Sequence, residues 1–282
     1  MGETLKRAIS GAVYVLLLLA SILYSTESFL ILFGIFLIIS IYEFCNLVQV
    51  NKTIPLISGT SIYVLIILIS NYYNLKAEDI QLLDIVLLAI TLLISIKCVV
   101  FLFDNSLQKI SNSSKYIYLL GYITLPFIFI TKISFGIKNY NPKIIIGLLI
   151  LIWTNDTFAY IVGKSIGKHK LFEKISPKKT IEGFFGGLIF AIFAGYLISM
   201  YLIKPSAQFS DKSILIWMII AAIVGVIGTI GDLIESKFKR IAGVKDSGKI
   251  MPGHGGVLDR LDSVIFVAPF IFLFYKILYY VS

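Results

Sequence analysis

Apolar runs of roughly 20 residues recur along almost the whole chain, and this pattern restricts the fold more than any other feature. A helix needs about 20 mainly apolar residues to cross a bilayer. Only 15% of the 282 residues are charged, whereas a soluble domain has about 25%. The pattern predicts an all-α, polytopic integral membrane protein. We place nine candidate spans near residues 8–24, 28–48, 54–73, 80–103, 115–135, 143–163, 183–203, 214–234 and 263–281.

The basic residues predict the orientation of these spans, because positively charged loops stay on the cytoplasmic side. Two long loops, 164–182 and 235–262, are rich in lysine and arginine, and Lys6 and Arg7 lie on the same side. We therefore expect a multi-pass protein of the cell membrane with its N-terminus in the cytoplasm and its C-terminus outside. A polar site in the long loops then faces the cytoplasm.

Composition also divides the chain into two parts. Residues 1–142 are nearly continuous apolar spans with short polar joins, which is typical of a scaffold, a lipid-facing wall or a dimer contact. Glycine and charge accumulate in residues 143–282, which we expect to form a catalytic transmembrane domain. The net charge of +9 favours anionic lipid headgroups or a phosphorylated substrate over nucleic acid, because the lysines are interleaved with spans.

Carboxylates are concentrated where the eighth span ends and the ninth begins, at Asp232, Asp246, Asp259 and Asp262. They are hard oxygen ligands suited to Mg²⁺, which takes one or two carboxylates together with substrate phosphates. Helix capping is the alternative for Asp259. If DRLD opens a helix, Asp259 and Asp262 share a face and Arg260 points elsewhere. We expect the set of four to bind a metal.

The glycines of PGHGG, residues 252–256, leave backbone N–H groups uncovered by side chains. A phosphate could then approach Gly253, Gly255 and Gly256 closely. The spacing matches neither a P-loop nor a Rossmann motif, and a simple turn is the alternative. For His254, three interpretations stay open: it binds phosphate, it relays a proton, or it bridges the loop by hydrogen bonds.

Basic and polar residues elsewhere complete the pattern. In SPKKTIEG, residues 176–183, Lys178 and Lys179 should lie near a helix N-terminus, which is itself an anion site. Asn155 and Asp156 lie inside the sixth span, where an ionisable residue indicates function by default. Phosphate chemistry on a lipid is the class of reaction that these features favour. We expect Gly225, Gly228 and Gly231 of the eighth span to be helix-packing positions.

The segment SKFKRIAGVKDSGKIMPGHGGVLDRLD, residues 236–262, closely resembles the signature of phosphatidate cytidylyltransferases, also called CDP-diglyceride synthetases. The upstream blocks NDTFAYIVGKSIGKHKL and ISPKKTIEGFFGG resemble that family too, in the same order. The resemblance spans residues 155–264 by motif. Met251 is a conservative departure, since the family more often has Leu, Ile or Phe there.

The resemblance implies that CTP and phosphatidic acid are converted to CDP-diacylglycerol and pyrophosphate. It implies Mg²⁺, with Asp232 and Asp262 as leading ligands and Asp246 and Asp259 in support. K⁺ and a homodimer are implied by the family alone. The other catalytic candidates are Lys239, Arg240, Lys245, His254 and Arg260. The substrate-binding candidates are Asn155, Asp156, Ser176, Lys178, Lys179, Thr180, Glu182, Ser236, Gly253, Gly255 and Gly256.

Other functions account for the sequence less well. A transporter would also place polar residues inside spans, but here they cluster in one half of the chain instead of in corresponding places of two repeats. A CDP-alcohol phosphotransferase would need DGxxAR followed by GxxxDxxxD, which the sequence lacks. A CTP-dependent lipid kinase and a relative acting on ether-linked archaeal lipids are nearer alternatives, and they differ in their products.

Overall fold

A computed structural model describes residues 3–71, 77–104, 110–135, 140–203 and 210–281. Within these ranges the chain is a bundle of long helices with one short β-hairpin. The helices are α1 Glu3–Tyr24, α2 Thr26–Val48, α3 Thr53–Asn71, α4 Ala77–Phe103, α5 Asn112–Tyr118, α6 Leu125–Ile133, α7 Pro142–Ile166, α8 Ile181–Leu197, α9 Ser210–Ile241 and α10 Leu258–Val281. π-Helical turns at Leu119–Thr124 and Ile198–Ile203 continue α5 into α6 and extend α8.

Nine helical spans in the described part of the chain are long and apolar enough to cross a membrane. This confirms the predicted number and the class of multi-pass helical membrane protein. The two spans that polar, proline or glycine residues interrupt, Thr53–Ser70 and Asn112–Ile133, are among the nine.

A short β-hairpin interrupts the helices in the part of the chain that the structure describes. Strand β1, Lys170–Phe172, pairs antiparallel with β2, Ser176–Thr180, inside the loop expected between the sixth and seventh spans. Pro177 favours extended backbone at the residue before it. At the end of β2, the hydroxyl of Thr180 accepts a hydrogen bond from the Gly183 N–H at 3.1 Å and caps α8. Lys178 and Lys179 therefore lie on a strand that leads into this helix.

Helix α9 is longer than the sequence predicted, since it continues past residue 234 to Ile241. Glu235 and Lys239 form an i, i+4 ion pair along this extension, an arrangement that supports helix. Lys237, 1% exposed, donates to the carbonyls of Phe101 and Asp104 at the end of α4, where a cation is favoured. Polar residues expected in a loop are thus held rigidly on a helix.

Close packing joins α7, α8, α9 and α10. A methyl group on Gly231 of α9 would lie 2.6 Å from Phe266 Cβ and 3.1 Å from the Asp262 carbonyl of α10. One on Gly225 would lie 2.7 Å from Leu188 of α8. The predicted packing role is confirmed for these two glycines, while Gly228 has ordinary contact distances. The close approach at Gly231 determines how the neighbouring polar residues meet.

Candidate active site

The closest approach of α9 and α10 brings two predicted site residues together. Asp232 follows Gly231 directly, and the Gly231 backbone packs against the Asp262 carbonyl. The charges that act on the Asp262 carboxylate include Asp232, Lys239 and Asp156. Three acidic side chains, from α7, α9 and α10, thus converge although they are far apart in the sequence.

One lysine enters this group from the hairpin. The Lys179 ammonium lies 2.6 Å from Asp232 Oδ2, and the two side chains are 27% and 29% exposed. Ser236, one turn further along α9, donates its hydroxyl to Asp232 Oδ1 at 3.2 Å. Asp262 Oδ1 accepts the backbone N–H of Ser263 at 2.7 Å. We call Asp156, Lys179, Asp232 and Asp262 the carboxylate crevice.

Asn155 forms the floor next to this crevice. Its side chain is 3% exposed and its amide nitrogen lies 3.4 Å from Asp156 Oδ1. Among the described residues, no donor reaches Asn155 Oδ1. A methyl group added to Gly187 would lie 2.9 Å from that oxygen, and one added to Gly225 would lie 3.3 Å away. These glycines therefore leave room for the buried Asn155 carbonyl oxygen between α8 and α9.

A second acidic group lies deeper. Lys239 donates to Glu235 Oε2 at 2.5 Å and to Asp259 Oδ1 at 2.7 Å. Asp259 Oδ2 also accepts the backbone N–H groups of Ser247 at 2.9 Å and Gly256 at 2.7 Å. A structural role therefore fits Asp259 better than metal ligation, because two loop N–H groups and the buried Lys239 occupy its oxygens, whereas the lysine that contacts Asp232 is partly exposed.

Glu43 of α2 belongs to the same group, and the sequence analysis did not select it. Its oxygens accept the backbone N–H groups of Val257 at 3.2 Å and Leu258 at 2.9 Å, at the start of α10. The available signal was its position inside an apolar span, where a carboxylate is costly. We call Glu43, Glu235, Lys239 and Asp259 the buried clamp.

The PGHGG loop lies against the buried clamp, where Gly255 and Gly256 approach Asp259 and Glu43 closely. Gly253 and Gly255 have φ of +77° and +86°, in the region that favours glycine. The N–H of Gly256 is taken up by Asp259, so this amide is not available to the phosphate that we expected it to bind. Gly255 and Gly256 allow the carboxylates of Asp259 and Glu43 to approach the loop, while phosphate binding at Gly253 and Gly255 stays a prediction.

His254 bridges this loop to α1. Its Nδ1 lies 2.8 Å from the Ser10 hydroxyl, and its carbonyl accepts two hydrogen bonds from Arg260, at 3.2 and 2.9 Å. Burial lowers the pKa of His254 below its usual value, and the charges of Arg260 and Arg7 lower it further. Of the three interpretations of His254, the hydrogen-bonded bridge is the one with contacts in the structure.

Several other candidates lie at the periphery. Lys178, Lys245, Asp246 and Arg260 are exposed. The expected orientation of Arg260, away from Asp259 and Asp262, agrees with its contacts to the His254 carbonyl.

Three more candidates have partners within the chain. Arg240 donates to the Ile175 carbonyl at 3.1 Å and thereby holds the hairpin. Glu182 accepts from the backbone N–H groups of Lys168 and His169, at 3.0 and 3.2 Å. Ser176, half-buried, pairs with Phe172 in the hairpin. These contacts organise the hairpin on which Lys179 is carried.

The crevice can hold a divalent cation only together with other ligands. Within the ranges that the structure describes, no three His, Cys, Asp or Glu side chains form a metal-binding group, so the expected set of four aspartates is not assembled. Asp232 and Asp262 nevertheless offer hard oxygens on facing helices. Mg²⁺ is usually bound by one or two carboxylates plus substrate phosphates and water, and this pair fits that requirement.

Comparison with known proteins shows the family of the chain. The model of the Cytidylyltransferase family matches residues 5–278. The phosphatidate cytidylyltransferase of Bacillus subtilis is 32% identical over 96% of this chain and 97% of its own length. Those of Staphylococcus epidermidis and Staphylococcus haemolyticus are 44% and 48% identical, over 47% and 43% of this chain, and over 48% and 44% of their own lengths. The chain belongs to the cytidylyltransferase family.

Proposed function

We propose that this protein is a phosphatidate cytidylyltransferase, which converts CTP and phosphatidic acid to CDP-diacylglycerol and pyrophosphate. The observation that carries the proposal is the meeting of Asp232, Asp262 and Lys179 at one point of a chain that matches the family throughout. The reaction needs little covalent participation by the protein, because phosphoryl-type transfer is catalysed mainly by positioning and charge stabilisation.

In the reaction, a phosphate oxygen of phosphatidic acid attacks the α-phosphorus of CTP. The bond from the α-phosphorus to the oxygen that bridges it to the β-phosphorus breaks, and pyrophosphate leaves with that electron pair. The transfer brings several negative charges together at the reacting centre. Cationic groups and oriented dipoles that are already in place lower the barrier to such a step.

Lys179 is the protein cation best placed for this task. It is partly exposed and already lies beside the crevice, so it can contact the triphosphate without unfolding any element. Arg260, exposed at the start of α10, is a second phosphate-binding candidate. Asn155 is buried beside Asp156, so it supports the wall of the crevice from within α7.

Asp232 and Asp262 would hold Mg²⁺. A bound Mg²⁺ would supply positive charge that stabilises the phosphates and the leaving pyrophosphate. Asp259 positions the loop instead, and Asp246 remains a candidate on the exposed rim. K⁺ and a homodimer are proposals that rest on the family resemblance alone.

The site lies at one end of the bundle, and we propose that this end faces the cytoplasm. At this end the start of α1 contacts the loop between α9 and α10, the end of α2 contacts the start of α10, and the end of α9 contacts the hairpin. Twelve lysines and arginines fall within residues 164–182 and 235–262, as expected for cytoplasmic segments. CTP would then reach the site from the cytoplasm while phosphatidic acid arrives from the bilayer.

The decisive experiment labels CTP at two positions. The purified protein is incubated in detergent with phosphatidic acid, Mg²⁺ and CTP carrying ³²P on either the α- or the γ-phosphorus. Label from the α-position in the lipid product, none from the γ-position, and loss of product with EDTA are the expected results. Lipid labelled from the γ-position would identify a kinase instead. A folded protein that labels no lipid would overturn the proposal and favour a transporter.

A further inference from the structure

Glu43 is a carboxylate buried in the part of the chain that the sequence marks as scaffold. It is 1% exposed and lies in the last turns of α2. An uncompensated charge at such a place is costly. None of the ion pairs that the described residues form includes Glu43, so backbone groups must provide its compensation.

Those groups are the free N–H groups at the beginning of α10. Val257 and Leu258 each donate one hydrogen bond to Glu43, and the Ser247 hydroxyl lies 3.3 Å from Glu43 Oε2. The first N–H groups of a helix have no partners within the helix, and the helix dipole is positive at that end. Glu43 therefore acts as an N-terminal cap that comes from another helix.

The loop is shaped around this carboxylate. A methyl group on Gly248 or on Gly256 would overlap the Glu43 carboxylate oxygens. Both glycines are thus needed for the carboxylate to fit, in addition to the hydrogen bonds that hold it. Two independent features, donors and space, show that this is a built site for the Glu43 side chain.

Asp262 lies four residues after Leu258, about 6 Å further along the helix axis. Any shift of the first turn of α10 is therefore passed to Asp262 and alters its separation from Asp232. We infer that Glu43 is a positioning residue, which links the N-terminal half of the chain to the carboxylate crevice by holding the start of α10. The inference rests on the proposed function only in its kinetic consequences.

The test compares Glu43→Gln with Glu27→Gln, an exposed glutamate in the first turn of the same helix. Glutamine offers one acceptor oxygen and one NH₂ donor, so at least one N–H group at the start of α10 loses its partner. We expect kcat to fall by about 10- to 100-fold and the Mg²⁺ concentration for half-activation to rise, with the KM for CTP changed less. Glu27→Gln should behave like the unmodified protein.

Amide hydrogen exchange gives a readout that does not depend on activity. In Glu43→Gln, peptides containing residues 257–262 should exchange about 10-fold faster, while peptides from α7 should not change. If the wild type forms no CDP-diacylglycerol, the proposed function fails and the exchange result still decides the inference.

A purely structural role would lower the yield and melting temperature but leave kcat and Mg²⁺ dependence of the folded fraction unchanged. That outcome, or unchanged exchange at residues 257–262, would overturn the inference. Should Glu43→Gln not fold, Glu43→Asp retains the charge and shortens its reach by one methylene. Its exchange at the same residues then decides the question.

Discussion

The carboxylate crevice and the buried clamp have the same composition, three carboxylates and one lysine, but different surroundings. In the clamp, Lys239 serves two carboxylates, and the side chains of its ion pairs are at most 11% exposed. In the crevice, the one ion pair of Lys179 with a described residue is that with Asp232, and both side chains are more than a quarter exposed. Two groups of equal charge can therefore differ in function, because the protein supplies the carboxylates of one group with more hydrogen-bond and ion-pair partners than those of the other.

Backbone donors account for most of the difference. In the clamp, Glu43 and Asp259 together accept four backbone N–H groups, so their charge is satisfied before any ligand arrives. In the crevice, only the Ser263 N–H donates to a carboxylate among the described backbone groups. The clamp therefore has the properties of a structural element, and the crevice keeps the capacity to bind a cation and phosphates.

The largest expected effect follows from removing a crevice carboxylate. Asp262→Asn should lower kcat/KM by about 10³-fold, because the substitution removes a charge that would hold the metal. The melting temperature should stay unchanged or rise slightly, because the substitution removes a negative charge that lies next to those of Asp232 and Asp156. Activity with labelled CTP and thermal unfolding in detergent measure the two quantities.

Glu173→Gln is the matched control, an exposed acid in the turn of the hairpin. It should change neither quantity. An Asp262→Asn protein that retains activity within a few-fold of the wild type would move the metal site to other residues.

Removing the lysine of the buried clamp should lower the stability of the protein, whereas Asp262→Asn should lower its activity without lowering its stability. Lys239→Ala leaves Glu235 and Asp259 buried without their cation, which destabilises a protein by about 3–5 kcal/mol. The melting temperature and the yield of folded protein should fall, and activity should fall with them. Lys174→Ala, at an exposed lysine of the hairpin turn, is the control. A Lys239→Ala protein with normal melting but no activity would assign Lys239 to catalysis and contradict the comparison.

Lys178 and Lys179 carry the same charge at neighbouring positions of β2, so substituting each in turn distinguishes an effect of charge from an effect of position. Neighbouring side chains on a strand point to opposite faces, and of these two lysines it is Lys179 that contacts Asp232. Lys179→Ala should lower kcat/KM by about 10²-fold, with a change in unfolding free energy below about 1 kcal/mol, as for partly exposed ion pairs. Lys178→Ala should have a smaller effect on both. Equal losses in the two variants would indicate a diffuse basic surface.

Much of the fold and part of the site could be predicted from the sequence. Apolar length predicts the nine spans, and the DRLD segment predicts the start of α10. The hairpin and the last two turns of α9 could not be predicted, because they depend on contacts such as Lys237 with the end of α4. The sequence groups the four aspartates because they are close along the chain. In the structure, Asp156 joins the carboxylate crevice and Glu43 joins the buried clamp, each from a helix that is distant in sequence.

The smallest effect should come from His254, on the PGHGG loop that precedes α10. Because burial, Arg260 and Arg7 depress its pKa in the folded state below the usual 6.5, the unfolded chain takes up this proton first as the pH falls. The stabilisation from neutral His254 is thus fully present above about pH 6.5 and is lost as the pH falls towards the lower folded value. The melting temperature of His254→Gln should therefore fall less than that of the wild type between about pH 7.5 and pH 5.5. Parallel curves would show that the pKa of His254 is not depressed in the folded protein and would contradict this prediction.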